Sequence, residues 1–507
     1  MKKVLFILLC CGLSVQSQVQ EILCKVIESD TRYPVSYATI QFQKSGNGVI
    51  ANIDGDFRIP YQYKRDGDIL LISCIGYKSK TLALSHLKDK EINVITLIPK
   101  VEMLDQVIIT GNSKTNGKSK LSPEEIIQKA ILSIPKNYPY TPYSKVGYYR
   151  DYQIVNGNYY NLNEAIIESF DAGFGTDIIM DDYNETAIYK YTENKDFNRD
   201  STLLQVYDGE SKYINNTTLS GQGGNELSIL NIHNPIRNFE QLSFSFVYIF
   251  KKRFLLNHEF LDMKTVYLND KPLYEISFKA LNKLTGVSHK AKGKIYISKD
   301  TYGIHKFVYQ VLETKSLDVL LEVEIEYVLR NAKMYLNYIT FNNKFIVSDS
   351  FYFDVDNVQY DAEEKSFYVF FNSDLLMSSL DKKDFRFKFK KKKLMVEEFN
   401  VIDERTIKLR IAEWSIPEEV NTKDAMKGFE YRIKNITDKT GRKLYQKISL
   451  TAYQFREFFV QDVLSKSEKP NNVKFVDKAK PLSNAKVNID QSKDLYWLNS
   501  PLKAITN

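Results

Sequence analysis

Apolar and polar positions alternate with period two over much of this chain. Short alternating runs cover Glu21 to Ile27, Ser36 to Gln43, Val49 to Ile53, Phe57 to Tyr61 and Ile69 to Ile75. They are separated by turn-forming stretches such as Lys44-Ser45-Gly46-Asn47-Gly48, Asp54-Gly55 and Lys64-Arg65-Asp66-Gly67-Asp68. Strands this short, at this spacing, predict a small β-sandwich. Farther along, Asn156-Gly157 between two apolar runs predicts a two-residue hairpin. Met263 to Phe371 then alternates over longer runs that turn at Asn269-Asp270, Lys299-Asp300-Thr301-Tyr302-Gly303 and Asn331-Ala332-Lys333. Val319, Leu321, Val323, Ile325 and Tyr327 share one side of that pattern, and Glu322, Glu324 and Glu326 share the other. This predicts a sheet with one buried and one wet face.

Helical periodicity is confined to two stretches. Ser122 is placed to cap a helix, with Pro123 in the first turn and Glu125 at the capping-box position. Ile126, Ile127, Ala130, Ile131 and Ile134 follow on one face, and Pro135 ends the run. Thr451 to Leu464 reads as a second helix, with Phe455, Phe458, Phe459 and Val463 on one stripe. The polar segments Tyr183 to Asp200 and Ser220 to Asn225 read as exposed excursions. The expected fold is therefore mainly β, with an N-terminal sandwich followed by a large antiparallel β-rich (α+β) domain that has a few helices.

Domain limits follow from composition. Met1-Lys2-Lys3, the apolar run Val4 to Val15 and Val15-Gln16-Ser17 predict a signal peptide over 1–17. The run is shorter than the ~20 residues a bilayer requires. The sandwich is expected over 18–111, a polar linker over 112–121, the β-rich domain over 122–464, and an extended tail over 465–507. This places the product in the periplasm or at the outer membrane.

Pro34-Val35-Ser36-Tyr37-Ala38-Thr39-Ile40, Asn52-Ile53-Asp54-Gly55-Asp56-Phe57, Ser73-Cys74-Ile75-Gly76-Tyr77 and Leu104-Asp105-Gln106-Val107-Ile108-Ile109-Thr110-Gly111 together form a pattern. It resembles the carboxypeptidase-regulatory-like domain of exported Bacteroidota proteins, a transthyretin-like sandwich. Cys24 stands where such domains usually carry Gly. The resemblance implies a non-catalytic module, one that often precedes TonB-dependent receptors. A barrel of ~22 strands does not fit in the residues that remain. Gly293-Lys294-Ile295-Tyr296-Ile297-Ser298 with Tyr302-Gly303-Ile304 is similar to the strand–turn–strand unit of periplasmic lipoprotein carriers. That likeness implies a curved sheet around an apolar cavity; a sheet closed by a helix and packed solid is the alternative.

Composition narrows the chemistry. Aromatic residues make up 13% of the chain, which favours pleated, half-buried surfaces. A net charge of +7 on 507 residues does not argue for nucleic acid. The histidines are His86, His233, His258, His289 and His305, and none has Glu three residues on, so no zinc set forms. Asp54, Asp56, Asp66 and Asp68 lack the spacing of a calcium hand and suit turns. No Gly-x-Ser-x-Gly elbow is present, and no cofactor is implied. Cys24 and Cys74, both on expected strands, are either two buried thiols or, in an oxidising compartment, a disulfide. Phe385-Arg386-Phe387-Lys388-Phe389-Lys390, continuing into Lys391-Lys392-Lys393, offers Lys388, Lys390, Lys391, Lys392 and Lys393 to an anionic surface. Its alternative is an edge strand guarded by lysines.

The expectation is a non-enzymatic binding or assembly protein that docks a partner, such as an outer-membrane protein, or holds an apolar or lipid ligand, with peripheral membrane contact. A hydrolase using a carboxylate pair, and an accessory of a TonB-dependent complex, are the alternatives.

Overall fold

The computed structural model describes residues 21–102, 121–204, 224–347, 353–421, 428–446, 450–465 and 468–502. The expected signal peptide at 1–17, the linker up to residue 120, the motif at 104–111 and residues 220–223 of the glycine-rich loop lie outside them. The protein is mainly β, with five sheets and a few short helices among the described residues.

The N-terminal sandwich contains β1 (Glu21–Glu28), β2 (Thr39–Phe42), β3 (Gly48–Ile50), β4 (Asp56–Pro60), α1 (Tyr61–Arg65), β5 (Ile69–Ser73), β6 (Lys80–Ala83) and β7 (Asn93–Leu97). The sheets β4-β1-β7 and β3-β2-β5-β6 close over Ile22, Val26, Ile40, Phe42, Phe57 and Ile72. Aspartates shape its turns. Asp68 accepts from the backbone N–H groups of Lys44, Ser45 and Ile69 at 2.9, 3.2 and 2.7 Å. Gly55 has φ +75°, and a Cβ there would lie 2.3 Å from the Val26 carbonyl oxygen, so only glycine fits.

After β8 (Val101–Glu102) come α2 (Pro123–Leu132), α3 (Ile134–Asn137), β9 (Tyr143–Val155), β10 (Asn158–Asp171), β11 (Thr186–Glu193), α4 (Glu226–Ile232) and α5 (Phe250–Asn257). The capping box on α2 forms as predicted between Ser122 and Glu125. The long meander follows: β12 (His258–Leu268), β13 (Lys271–Ala280), α6 (Asn282–Thr285), β14 (His289–Ser298), β15 (Ile304–Glu313), β16 (Val319–Arg330) and β17 (Lys333–Val347). A separate module holds β18 (Val355–Asp361), β19 (Ser366–Phe371), β20 (Phe385–Phe389), β21 (Lys392–Leu394), β22 (Val396–Asp403), β23 (Thr406–Ile411) and β24 (Phe429–Ile433). Then β25 (Leu450–Ser465) returns to the large sheet. That sheet has eleven strands in the order β11-β10-β9-β25-β17-β16-β15-β14-β13-β12-β8. The module between β17 and β25 has its own core around Phe367, Phe387, Ile407 and Leu409, so residues 122–464 contain two packed units.

Four expectations change. Thr451 to Leu464 is not a helix but the centre of the large sheet, paired with β17 and β9. Both of its faces are buried, which erases the period-two signal: Phe458 joins one core and Phe459 another. Within Tyr183 to Asp200, residues 186–193 form the edge strand β11 rather than a free excursion. The tail runs across that edge, donating from Val476 N to Thr186 O and from Asn488 N to Ile188 O. Farther on it is not superficial, because Trp497 enters the sandwich core against the stacked Phe42 and Tyr63. Finally, the side bearing Glu322, Glu324 and Glu326 is not wet, since the sandwich lies over it.

One face of the large sheet is filled by α2, α4 and α5. Phe254 of α5 lies within 4.7–5.8 Å, ring to ring, of Phe250, His258, Phe278 and Phe307. Aromatic rings thus fill the space an acyl-chain carrier would leave open. The opposite face receives the sandwich through Tyr37 and Ile50, which pack on Tyr148, Ile166, Tyr338 and Phe459.

Candidate functional site: a basic sheet face on the inserted module

Strand β20 reads Phe385-Arg386-Phe387-Lys388-Phe389. Alternation sends the three phenylalanines into the module core and leaves Arg386 and Lys388 exposed. Phe387 stacks on Phe367 with centroids 4.0 Å apart, which locks the strand's facing. Gly428 lets the neighbouring chain approach, since a Cβ there would meet the Phe389 ring at 2.5 Å.

The structure corrects the edge-strand alternative for β20, whereas β21, which carries Lys392 and Lys393, does lie at an edge of the sheet among the described residues. β20 is the middle strand of the sheet β21-β20-β24, hydrogen-bonded on both sides. Register then decides the electrostatics. Arg386 lies opposite Arg432, and Lys388 lies opposite Lys393 on one side and Glu430 on the other. Like charges directly opposite one another on a sheet face cost up to about 1 kcal/mol each. Among the described residues, Arg386, Lys388, Lys393 and Arg432 make no ion pair. Four exposed cations therefore face solvent with one carboxylate, Glu430, among them.

The β20–β21 turn adds to this. Lys390 and Lys391 have φ +44° and +72°, a two-residue turn that favours Asn-Gly. Two lysines in left-handed geometry cost about 1 kcal/mol each. Lys390 reaches Glu419 at 3.1 Å in an exposed pair, while Lys391 and Lys392 are exposed at the turn and edge. All five lysines singled out in the sequence thus fall on one sheet or its turn. Arg386 and Arg432 belong with them. Arg432 escaped notice because its strand lies far along the chain.

A second cluster of charge is buried between the sandwich and the large sheet. Lys306 pairs with Glu324 at 2.6 Å, and Tyr338 donates to the same carboxylate at 2.6 Å. Glu326 is 5% exposed and accepts from Asn337 at 2.7 Å and from Thr39 of the sandwich at 3.5 Å. Burial pushes its carboxyl up to about 7, with Lys306 opposing. Burial also raises Glu322, which accepts from Gln310 at 2.9 Å. Alongside, Arg150 is hydrogen-bonded to Glu457, and its guanidinium lies 5.2–5.9 Å from the rings of Tyr148, Tyr152 and Phe459. Carboxylates do lie together here, and burial raises the pKa of two of them, Glu322 and Glu326; a carboxylate hydrolase needs a carboxyl raised in this way. They are roofed by the sandwich, so a substrate could reach them only if that domain lifted away.

Cys24, Cys74, His233 and His258 are packing residues in this structure. Cys24 and Cys74 are free thiols, each pushed up to about 12 by burial. His233 stacks on Phe341 at 3.9 Å, and burial lowers it to about 3. His258 meets the Tyr309 hydroxyl at 3.0 Å, and burial lowers it to about 4.

The architecture defines a mainly β protein whose N-terminal sandwich roofs a large antiparallel sheet. Residues 24–109 match the family model described as the CarboxypepD_reg-like domain, so the sandwich is a carboxypeptidase-regulatory-like domain. No curated protein matches the chain. Among solved structures, a domain described as belonging to an outer membrane lipoprotein-sorting protein of Vibrio parahaemolyticus aligns at 9% identity and a TM-score of 0.21. That alignment covers 43% of this chain and 84% of that one. A LolA superfamily protein from Nitrosomonas europaea aligns at 9% identity and a TM-score of 0.19, covering 60% and 99%.

Proposed function

We propose that this is a non-enzymatic recognition protein of the cell envelope, exported and docked through the basic face of its inserted module. The reading is carried by one observation: Arg386 faces Arg432 and Lys388 faces Lys393 on an exposed sheet, with no ion pair among the described residues to relieve them. A sheet that bears this repulsion gains it back when an anionic partner arrives. Support comes also from the two faces of the large sheet, one filled by helices and the other roofed by the sandwich. Recognition is thereby left to the outer surface. No helix among the described residues is long and apolar enough to cross a membrane, and the proposed attachment is peripheral.

The test is co-sedimentation with isolated outer membranes at rising salt. Wild-type protein pellets with them at low ionic strength and is released as salt screens the contact. The fourfold variant Arg386→Glu, Lys388→Glu, Lys393→Glu, Arg432→Glu stays in the supernatant. Equal retention of the folded variant would refute the reading.

A further inference from the structure

The chain has two tryptophans, and they occupy opposite environments. Trp497 is buried in the sandwich core, while Trp414 is 80% exposed in the short turn Glu413–Ser415 of the inserted module. Hydrogen bonds locate Trp414 beside the basic sheet. Met395, which follows directly on β21, donates its N–H to Ser415 Oγ at 3.0 Å. Its carbonyl accepts from Ala412 N at 2.8 Å. Five residues beyond Trp414, Glu419 holds Lys390 of the β20–β21 turn. The segment from Ala412 to Glu419 therefore runs along the β21 edge. Met395, 37% exposed, lies on this rim.

We infer that this face and its Trp414 rim form a contact for an anionic lipid bilayer. The inference rests on the recognition reading above and names the partner. Charge gives the sign, since four cations against Glu430 call for a negative surface. Size argues for lipid over protein. Three strands ~4.8 Å apart and at most five residues long cover roughly 250 Å², against the ~800 Å² per partner that a stable protein interface buries. A headgroup layer needs no closed, complementary patch, and each lysine or arginine near it adds attraction. Exposed tryptophan suits that boundary, because its ring is amphipathic and partitions to the headgroup level. Of the acidic residues in the segment from Ala412 to Glu419, Glu413 and Glu419 are held by Lys365 and Lys390, which leaves the exposed Glu418 beside the four cations.

The experiment uses the full chain and protein-free vesicles, either of phosphatidylcholine alone or with about a third phosphatidylglycerol. Wild-type protein binds the anionic vesicles and not the neutral ones, and its tryptophan emission shifts to the blue. The shift reports Trp414, because Trp497 is already buried, and it disappears in Trp414→Phe. Each of Lys388→Gln and Lys393→Gln lowers affinity about five-fold. Thermal melts of these exposed variants match the wild type, which separates lost contact from lost fold. Equal binding to both vesicle types, or binding indifferent to the charge changes, overturns the inference. Retention on native outer membranes together with no binding to pure lipid also overturns it, while leaving the recognition reading intact with a protein as the anionic partner. Failure on both surfaces removes both.

Discussion

Two ladders of charge run through this protein on sheets of the same kind, and they end in opposite situations. Glu322, Glu324 and Glu326 alternate along β16 and lie beneath the sandwich, where Gln310, Lys306, Tyr338, Asn337 and Thr39 supply their partners. Arg386 and Lys388 alternate along β20, extend across β21 and β24 through Lys393 and Arg432, and remain in water facing like charges. Alternation reveals that a strand has a polar face; what covers that face is decided by distant chain. The buried ladder is a structural seam, since every acid in it has a donor. The exposed ladder carries like-charge repulsion at Arg386–Arg432 and Lys388–Lys393, offset among the described residues by Glu430 opposite Lys388 and by no ion pair, and this is the property expected of a docking surface.

The sharpest contrast lies in stability. Arg150→Met leaves Glu457 buried without its ion-pair partner, which should cost about 3–5 kcal/mol. Arg386→Ala or Arg432→Ala should stay within about 0.5 kcal/mol of wild type, as exposed substitutions do. Urea denaturation of the three variants measures this. A large loss at Arg386 would make the exposed ladder structural and break the comparison.

A smaller effect separates the ladders by pH. The Glu326 carboxyl is held near 7 when folded, above its ordinary value of 4.5, chiefly by burial and against the opposing Lys306. A raised carboxyl pKa contributes stability that is full at acid pH and is lost as pH rises from 4.5 to about 7. At 1.36 kcal/mol per pKa unit, the loss is on the order of 3 kcal/mol. Glu326→Gln should remove that slope and be the more stable form at pH 8, relative to wild type. Parallel stability curves for the two proteins would contradict the assignment.

The smallest effect belongs to the exposed face. Lys393→Glu turns the Lys388 pairing from repulsive to attractive, and should stabilise the module by a few tenths of a kcal/mol at low salt. High salt should abolish the gain. Paired thermal melts at two ionic strengths check this. Destabilisation at low salt would mean that the opposed lysines do not repel.

Local chemistry was legible in the sequence wherever one short stretch decides the geometry. Asn156-Gly157 turns with φ of +50° and +80°, and Asn269-Asp270 with +48° and +62°, as such pairs do in tight hairpins. The capping box at Ser122 and Glu125 and the regulatory-like sandwich were equally plain. What could not be read depends on partners far away in the chain. In β25 the adjacent Arg456 and Glu457 point to opposite faces, one to Glu226 of α4 and the other to Arg150 of β9. A strand buried on both sides shows no alternation, and its aromatic residues fell by chance on a helical stripe. β20 looked like an edge because β24, which pairs with it, begins forty residues later. The sandwich gave no sign that Trp497 completes its core.

On the proposed function, the protein engages its surroundings through the open basic ladder and keeps the acidic one for its own architecture. Retention on isolated outer membranes, compared between the Arg386→Glu, Lys388→Glu, Lys393→Glu, Arg432→Glu variant and a Glu322→Gln, Glu326→Gln variant, tests it most directly. Retention should vanish in the first and match wild type in the second. The reverse, or no difference between the two folded variants, would contradict the account.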